Sequence, residues 1–132
     1  MIIPHHKAHK MKWHISNNTT DGILVIKTEG VIDLVAAQTM RSEGLEQIKI
    51  HGYLRCLLDH SDAREYTLST LDIYSIPKQY AALGIPHNFR MALVVPENLR
   101  EDLLFYETVC RNNGYMVSVF FDQGSALAWL KS

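Results

Sequence analysis

Hydrophobic and polar positions divide the chain into short runs of different kinds. Residues 12 to 16 and 22 to 28 read as two strands around NNTTDG, a stretch dense in residues that favour turns, and together they predict a hairpin. After Gly30, Asp33 is placed to cap a helix whose apolar positions include Leu34, Ala37 and Met40. Gly44 is expected to break that helix before Leu45 and Ile48 continue it. Residues 53 to 59, YLRCLLD, are nearly all apolar after Arg55, as in a central strand covered on both faces.

Ser69 followed by Asp72 resembles a capping box and predicts a second helix. Pro77 removes an intrahelical donor, so either a kink or a fresh start capped by Ser75 is expected, with the helix ending by Gly84. Residues 89 to 95, FRMALVV, read as another buried strand. Asn98 and Glu101 carry a cap signature for a third helix, in which Leu99, Leu103, Tyr106 and Cys110 share a face and which Gly114 ends. A strand over 115 to 121 and a closing helix in GSALAWLKS complete the order.

Strands that alternate with helices after an initial hairpin predict an α/β fold: a single-layer mixed sheet of about five strands, mostly parallel, with right-handed crossovers and helices packed on it. No repeat, low-complexity tract or linker interrupts this order. One domain over residues 12 to 132 is expected, preceded by a loose arm over 1 to 11.

Composition fits that picture. The 132 residues are 47% hydrophobic and 20% charged with a formal net charge of -1, which suits one ordinary globular core. Lysines and arginines are scattered rather than clustered, so nucleic acid is not expected as a partner. Cys56 and Cys110 sit in apolar segments without metal-type spacing, and no apolar run is long enough for a signal or membrane segment. Cytoplasmic residence and no membrane insertion are the expectation.

Candidate chemistry concentrates in LLDHSDAREYTLSTL, residues 57 to 71. Free backbone donors at the start of the second helix place Ser69 and Thr70 where an anion or phosphate binds, while Asp59 and Ser61 precede them in what reads as a loop. The plainer reading makes Ser69 a cap and lets Asp59 and Ser61 satisfy loop amides. His60 between two carboxylates has the makings of a general base or of half a metal pair with Asp59, although a solvated loop histidine is the commoner case. His5, His6, His9 and His14 form a local cluster suited to adventitious metal binding. Tyr66, Tyr74 and Tyr80, with Phe105 and Tyr106, read as core and rim; alternatively Tyr66, Ile73, Tyr74, Ile76 and Tyr80 form an exposed apolar surface for a partner or lipid-like ligand. Walker, Rossmann, nucleophile-elbow and metalloprotease motifs are absent.

The hairpin, the helix after Gly-Val-Ile-Asp, the strand ending LLDHSD, the strand MALVVPE and the ending VFFDQGSALAWL resemble the SpoIIAA-like branch of the STAS superfamily over about residues 12 to 131. That resemblance implies regulation by protein contact. In anti-sigma factor antagonists of this type a serine at the start of the helix after the central strand is phosphorylated, within a pattern Asp/Asn-x-Ser, a spacer, then Asp-Ser-Ser-Gly-Leu. Asp59 and Ser61 match the first part. The second reads Thr67, Leu68, Ser69, Thr70, Leu71, so that Leu68 takes the phosphorylated position and the acidic residue and glycine are replaced. Related domains look similar to the CRAL-TRIO lipid-binding fold, which implies an apolar ligand under the second helix.

The expected function is a non-catalytic regulatory or binding module without cofactor or metal, making contact through residues 61 to 80 and lacking the serine phosphoswitch. Its expected binding residues are Asp59, Ser61, Tyr66, Thr67, Ser69, Thr70, Tyr74 and Tyr80. The alternatives are a carrier of a small apolar or lipid-like ligand between the second and third helices and, more remotely, an enzyme using Asp59 and His60. A symmetric homodimer is a further possible partner arrangement.

Overall fold

A computed structural model describes residues 10 to 18 and 20 to 132. Nine elements follow in chain order: β1 (Lys12–Asn18), β2 (Ile23–Ile32), α1 (Leu34–His51), β3 (Arg55–Tyr66), α2 (Thr70–Ala82), β4 (Arg90–Val94), α3 (Arg100–Asn112), β5 (Met116–Phe120) and α4 (Gln123–Lys131). A 3-10 turn, Glu97–Leu99, leads into α3. The strands lie in the order β1-β2-β3-β4-β5, with the first pair antiparallel and the others parallel. The fold is the α/β mixed sheet expected from the element order.

Because each parallel strand is laid beside the one before and the order never reverses, right-handed crossovers put all three connecting helices on one face. The larger core lies there, between the sheet and residues of α1, α2 and α3, and includes Leu24, Leu58, Ile76, Leu93 and Leu103. Met11, which the sequence reading left in the arm, is buried in this core. On the opposite face α4 contributes Ala126 and Leu130 against Ile23, Leu57, Ala92 and Val94. His5, His6 and His9 lie outside the described residues, and His14 is an exposed residue of β1.

Three local expectations are corrected. α1 does not break at Gly44: the glycine is buried, and a Cβ there would stand 3.1 Å from Ile26 Cδ1, so its small size serves close helix–sheet approach. α2 runs through Pro77 as one helix; Ser75 caps nothing and donates instead to the Asp72 carbonyl at 2.6 Å. Asn98 does not cap α3 either. Its amide donates to the Arg64 carbonyl at 2.8 Å, and α3 starts without a side-chain cap.

Candidate functional site

The largest departure from expectation lies in the candidate stretch itself. β3 does not end at Asp59 but continues as strand to Tyr66, pairing with β2 as far as Ile32, while its pairing with β4 stops at Asp59 opposite Val94. Two register shifts in the β2–β3 ladder, between Lys27 and Glu29 and between Gly30 and Val31, mark irregularities of the bulge kind. Ser61 is therefore a strand residue, and His60 is not a solvated loop histidine. His60 is 3% exposed, with Nδ1 2.6 Å from Thr28 Oγ1. Burial pushes its pKa down to about 4 against the opposing influence of Asp59.

Alternation along β3 sends Asp59 and His60 to opposite sides of the sheet. His60 follows Cys56 and Leu58 onto the α1 to α3 face. Asp59 turns toward Lys27, whose Nζ lies 3.4 Å from its Oδ2, 3.4 Å from Ser61 Oγ and 3.2 Å from Asp62 Oδ2. The Ser61 amide donates to Asp59 Oδ1 at 2.9 Å. Burial disfavours the Asp59 carboxylate, but the Ser61 hydrogen bonds and the Lys27 charge outweigh it and hold its pKa below the usual range. Lys27 is likewise partly desolvated, yet its bonds to Asp62 and Asp59 raise its pKa. A lysine held protonated in this way cannot serve as a base for Ser61, and Asp59 and His60 cannot share a substrate or an ion. Among the described residues no group of three or more His, Cys, Asp or Glu is placed to hold a metal.

At the start of α2 the Thr67 and Ser69 hydroxyls are occupied. Ser69 Oγ accepts from the Asp72 amide at 3.1 Å while the Ser69 amide donates to Asp72 Oδ2 at 2.9 Å, the capping box expected from the sequence. Thr67 donates through both its amide and its hydroxyl to the Ile32 carbonyl. Leu68 is buried in the core. Thr70 is exposed beside Ser69.

Between the sheet and α1 and α2 lies a cavity of about 70 Å³, lined largely by aliphatic residues and by His60, Tyr66, Tyr80, Tyr106 and Arg41. It lies under the second helix, where an apolar ligand was expected, and Leu103 and Tyr106 of α3 join its lining. It is less than half of the roughly 150 Å³ that accommodates benzene in an engineered protein cavity, so a lipid chain would require the helices to part. Tyr80 and Tyr106 join their hydroxyls in a short hydrogen bond, and burial raises the pKa of both. Arg41 Nη1 donates to Gln79 Oε1 at 2.6 Å, and the guanidinium sits 5.6 Å from the Tyr80 ring centroid.

The outer surface of α2 is different in kind. Leu71 is 80% exposed and Tyr74 54%, and the Tyr74 ring meets Phe105 of α3 edge-on at 5.6 Å between centroids. Ile73, Ile76 and Tyr80, which one reading of the sequence grouped with Tyr74 on an exposed surface, face the core instead.

No family model matches the chain, and no curated protein does. Solved structures do. An anti-sigma factor antagonist from Mycobacterium paratuberculosis matches with a TM-score of 0.63 and 12% identity over 100% of both chains. A protein of the DUF3478 family with a SpoIIAA-like fold, from Shewanella loihica, matches with a TM-score of 0.55 and 20% identity over 92% of this chain and 94% of the other. This chain has the SpoIIAA-like fold. Leu68, which the resemblance sets in the place of a phosphorylated serine, is a core residue.

The eight expected binding residues thus fall into three places. Asp59 and Ser61 lie on the face that carries Lys27; Tyr66 and Tyr80 line the cavity; Thr67, Ser69, Thr70 and Tyr74 lie along the start and outer side of α2. Sequence reading passed over Lys27, Thr28, Arg41 and Gln79. Arg41 was detectable in principle as a charged residue directly after Met40 of the expected apolar stripe, whereas the Lys27 contacts depend on a strand pairing 32 residues apart.

Proposed function

We propose that this SpoIIAA-like domain is a non-catalytic regulatory module that docks another protein through the outer surface of α2, and that it does so without a serine phosphoswitch. The observation that carries the reading is the outward display of Leu71 and Tyr74, the latter next to Phe105, on a helix whose other large apolar residues, Ile73, Ile76 and Tyr80, are buried. Single exposed apolar residues are ordinary, but two on successive turns, one of them meeting the ring of Phe105, form a small patch. Aromatic anchors of this kind supply much of the energy in protein interfaces.

Three further points support it. One solved structure that shares the fold is an anti-sigma factor antagonist. The Asp59, His60, Lys27 and Ser61 arrangement lacks the geometry and protonation states that acid–base or nucleophilic chemistry needs. Ser69 is engaged as a cap and Leu68 offers no hydroxyl.

The test is affinity capture from the protein's own host with wild type and a Leu71→Ser/Tyr74→Ser variant, after circular dichroism has established that both fold alike. The reading expects a reproducible partner with wild type and its loss with the variant. Equal recovery by both proteins, or no partner for either, would count against it.

A further inference from the structure

The cavity under α1 and α2 has polar groups that its surroundings leave only partly used, and they point to a ligand class. Arg41 is half-buried at the cavity, where its charge is felt by Tyr66, Tyr80, Tyr106 and Cys110. Its partners are a neutral amide, Gln79, and the face of Tyr80; no carboxylate among the described residues forms an ion pair with it. Asp102 of α3 acts on Tyr66 but does not pair with Arg41. A half-buried guanidinium without a counter-ion favours an incoming anion, and its planar fork suits a carboxylate.

The buried tyrosines add an independent observation. One hydroxyl proton is spent in the Tyr80–Tyr106 hydrogen bond. The other has only sulfur to approach, Met91 Sδ at 3.5 Å from Tyr106 Oη and 3.8 Å from Tyr80 Oη and the Cys110 thiol beside Tyr106, and both sulfurs are weak acceptors. Both tyrosines are about 4% exposed, so water does not freely replace that acceptor.

Size sets the rest. A cavity of about 150 Å³ admits the six carbons of benzene, so the 70 Å³ here suits about three carbons. We propose that this space is a binding site for a small branched or short-chain carboxylic acid, with its apolar tail in the cavity and its carboxylate on the Arg41 guanidinium. The site stands on the opposite side of α2's buried stripe from Leu71 and Tyr74 and does not depend on protein docking there.

Isobutyrate is the probe, followed by two-dimensional amide NMR on the full chain, with isobutyramide as the neutral isostere and Arg41→Gln as the variant. Saturable shifts at Gly44, Leu45 and Tyr80 are expected below about 20 mM, within reach of an efficient ligand of six heavy atoms. Isobutyramide with wild type, and isobutyrate with Arg41→Gln, should each bind at least about tenfold more weakly, as loss of a charge-assisted bond implies. Equal affinity for isobutyrate and isobutyramide on wild-type protein overturns the proposal whether or not the variant folds. So do undiminished binding by a folded variant, shifts that fail to saturate, and shifts confined to residues remote from the cavity.

Discussion

Asp59 and His60, adjacent in β3, point to opposite faces of the sheet: one to Lys27 on the face that α4 packs against, the other to Thr28 and the larger core. A histidine so placed acts on stability rather than on chemistry. Its folded pKa of about 4 lies below the ordinary 6.5, so the unfolded chain takes up a proton as pH falls through 6.5 while the folded chain resists until near 4. Stability is full above 6.5 and declines across that window, by up to about 3 kcal/mol. Urea unfolding at several pH values should show the decline, and His60→Leu should flatten it. An equally steep decline in the variant would assign the effect elsewhere.

Gly44 and Gly30 should respond oppositely to alanine. At Gly44 the new methyl meets the flexible tip of Ile26 at 3.1 Å and Leu24 Cδ2 at an ordinary contact distance of 3.7 Å, beside the cavity that all three residues line, and helix propensity favours alanine by about 1 kcal/mol. Gly44→Ala should therefore raise the denaturation midpoint. Gly30 has φ 87° and would drive a Cβ into the Lys10 carbonyl, so Gly30→Ala should destabilise by more than 1 kcal/mol, roughly the cost of a strained backbone.

The capping box separates structural from switching roles at Ser69. Ser69→Ala should cost about 1 kcal/mol, whereas Ser69→Asp retains a cap and should remain close to wild type in stability. Phosphopeptide mapping of protein from its own host is expected to find no stoichiometric phosphate on Thr67 or Ser69. Finding it there, or losing the partner with Ser69→Asp alone, would restore a switch.

What the sequence revealed depended on how local the determining interaction was. Ser69 and Asp72 form a cap within one turn, and the short apolar strands around Leu57, Leu93 and Val117 need only their own composition, so these were readable. The second half of β3 was not, because Asp59, His60 and Ser61 are polar whichever face they meet and the two ladder irregularities break the period of two. Gly44 read as a break because the reason for it, the approach of Ile26, lies in another strand. Asn98 was misread because its amide is claimed by Arg64, 34 residues away. The candidate site split for the same reason: residues close in sequence were assumed to share a side.

The free edge of β5 is closed by α3. Glu107 accepts from the Val119 amide and Arg111 Nε donates to the Val117 carbonyl, each at 2.6 Å, so the outward backbone groups are occupied by side chains instead of a neighbouring chain. A Glu107→Ala/Arg111→Ala variant should aggregate faster than wild type on mild heating, as followed by light scattering. Unchanged aggregation would mean that these contacts do not protect the edge.

Docking through α2 is tested most directly by placing a photo-cross-linking amino acid at Leu71 or Tyr74, and at Lys131 on α4 as a control, in protein expressed in its own host. The account predicts a discrete adduct of one partner from positions 71 and 74 and none from 131. Absence of an adduct at 71 and 74, or the same adduct from 131, would contradict it.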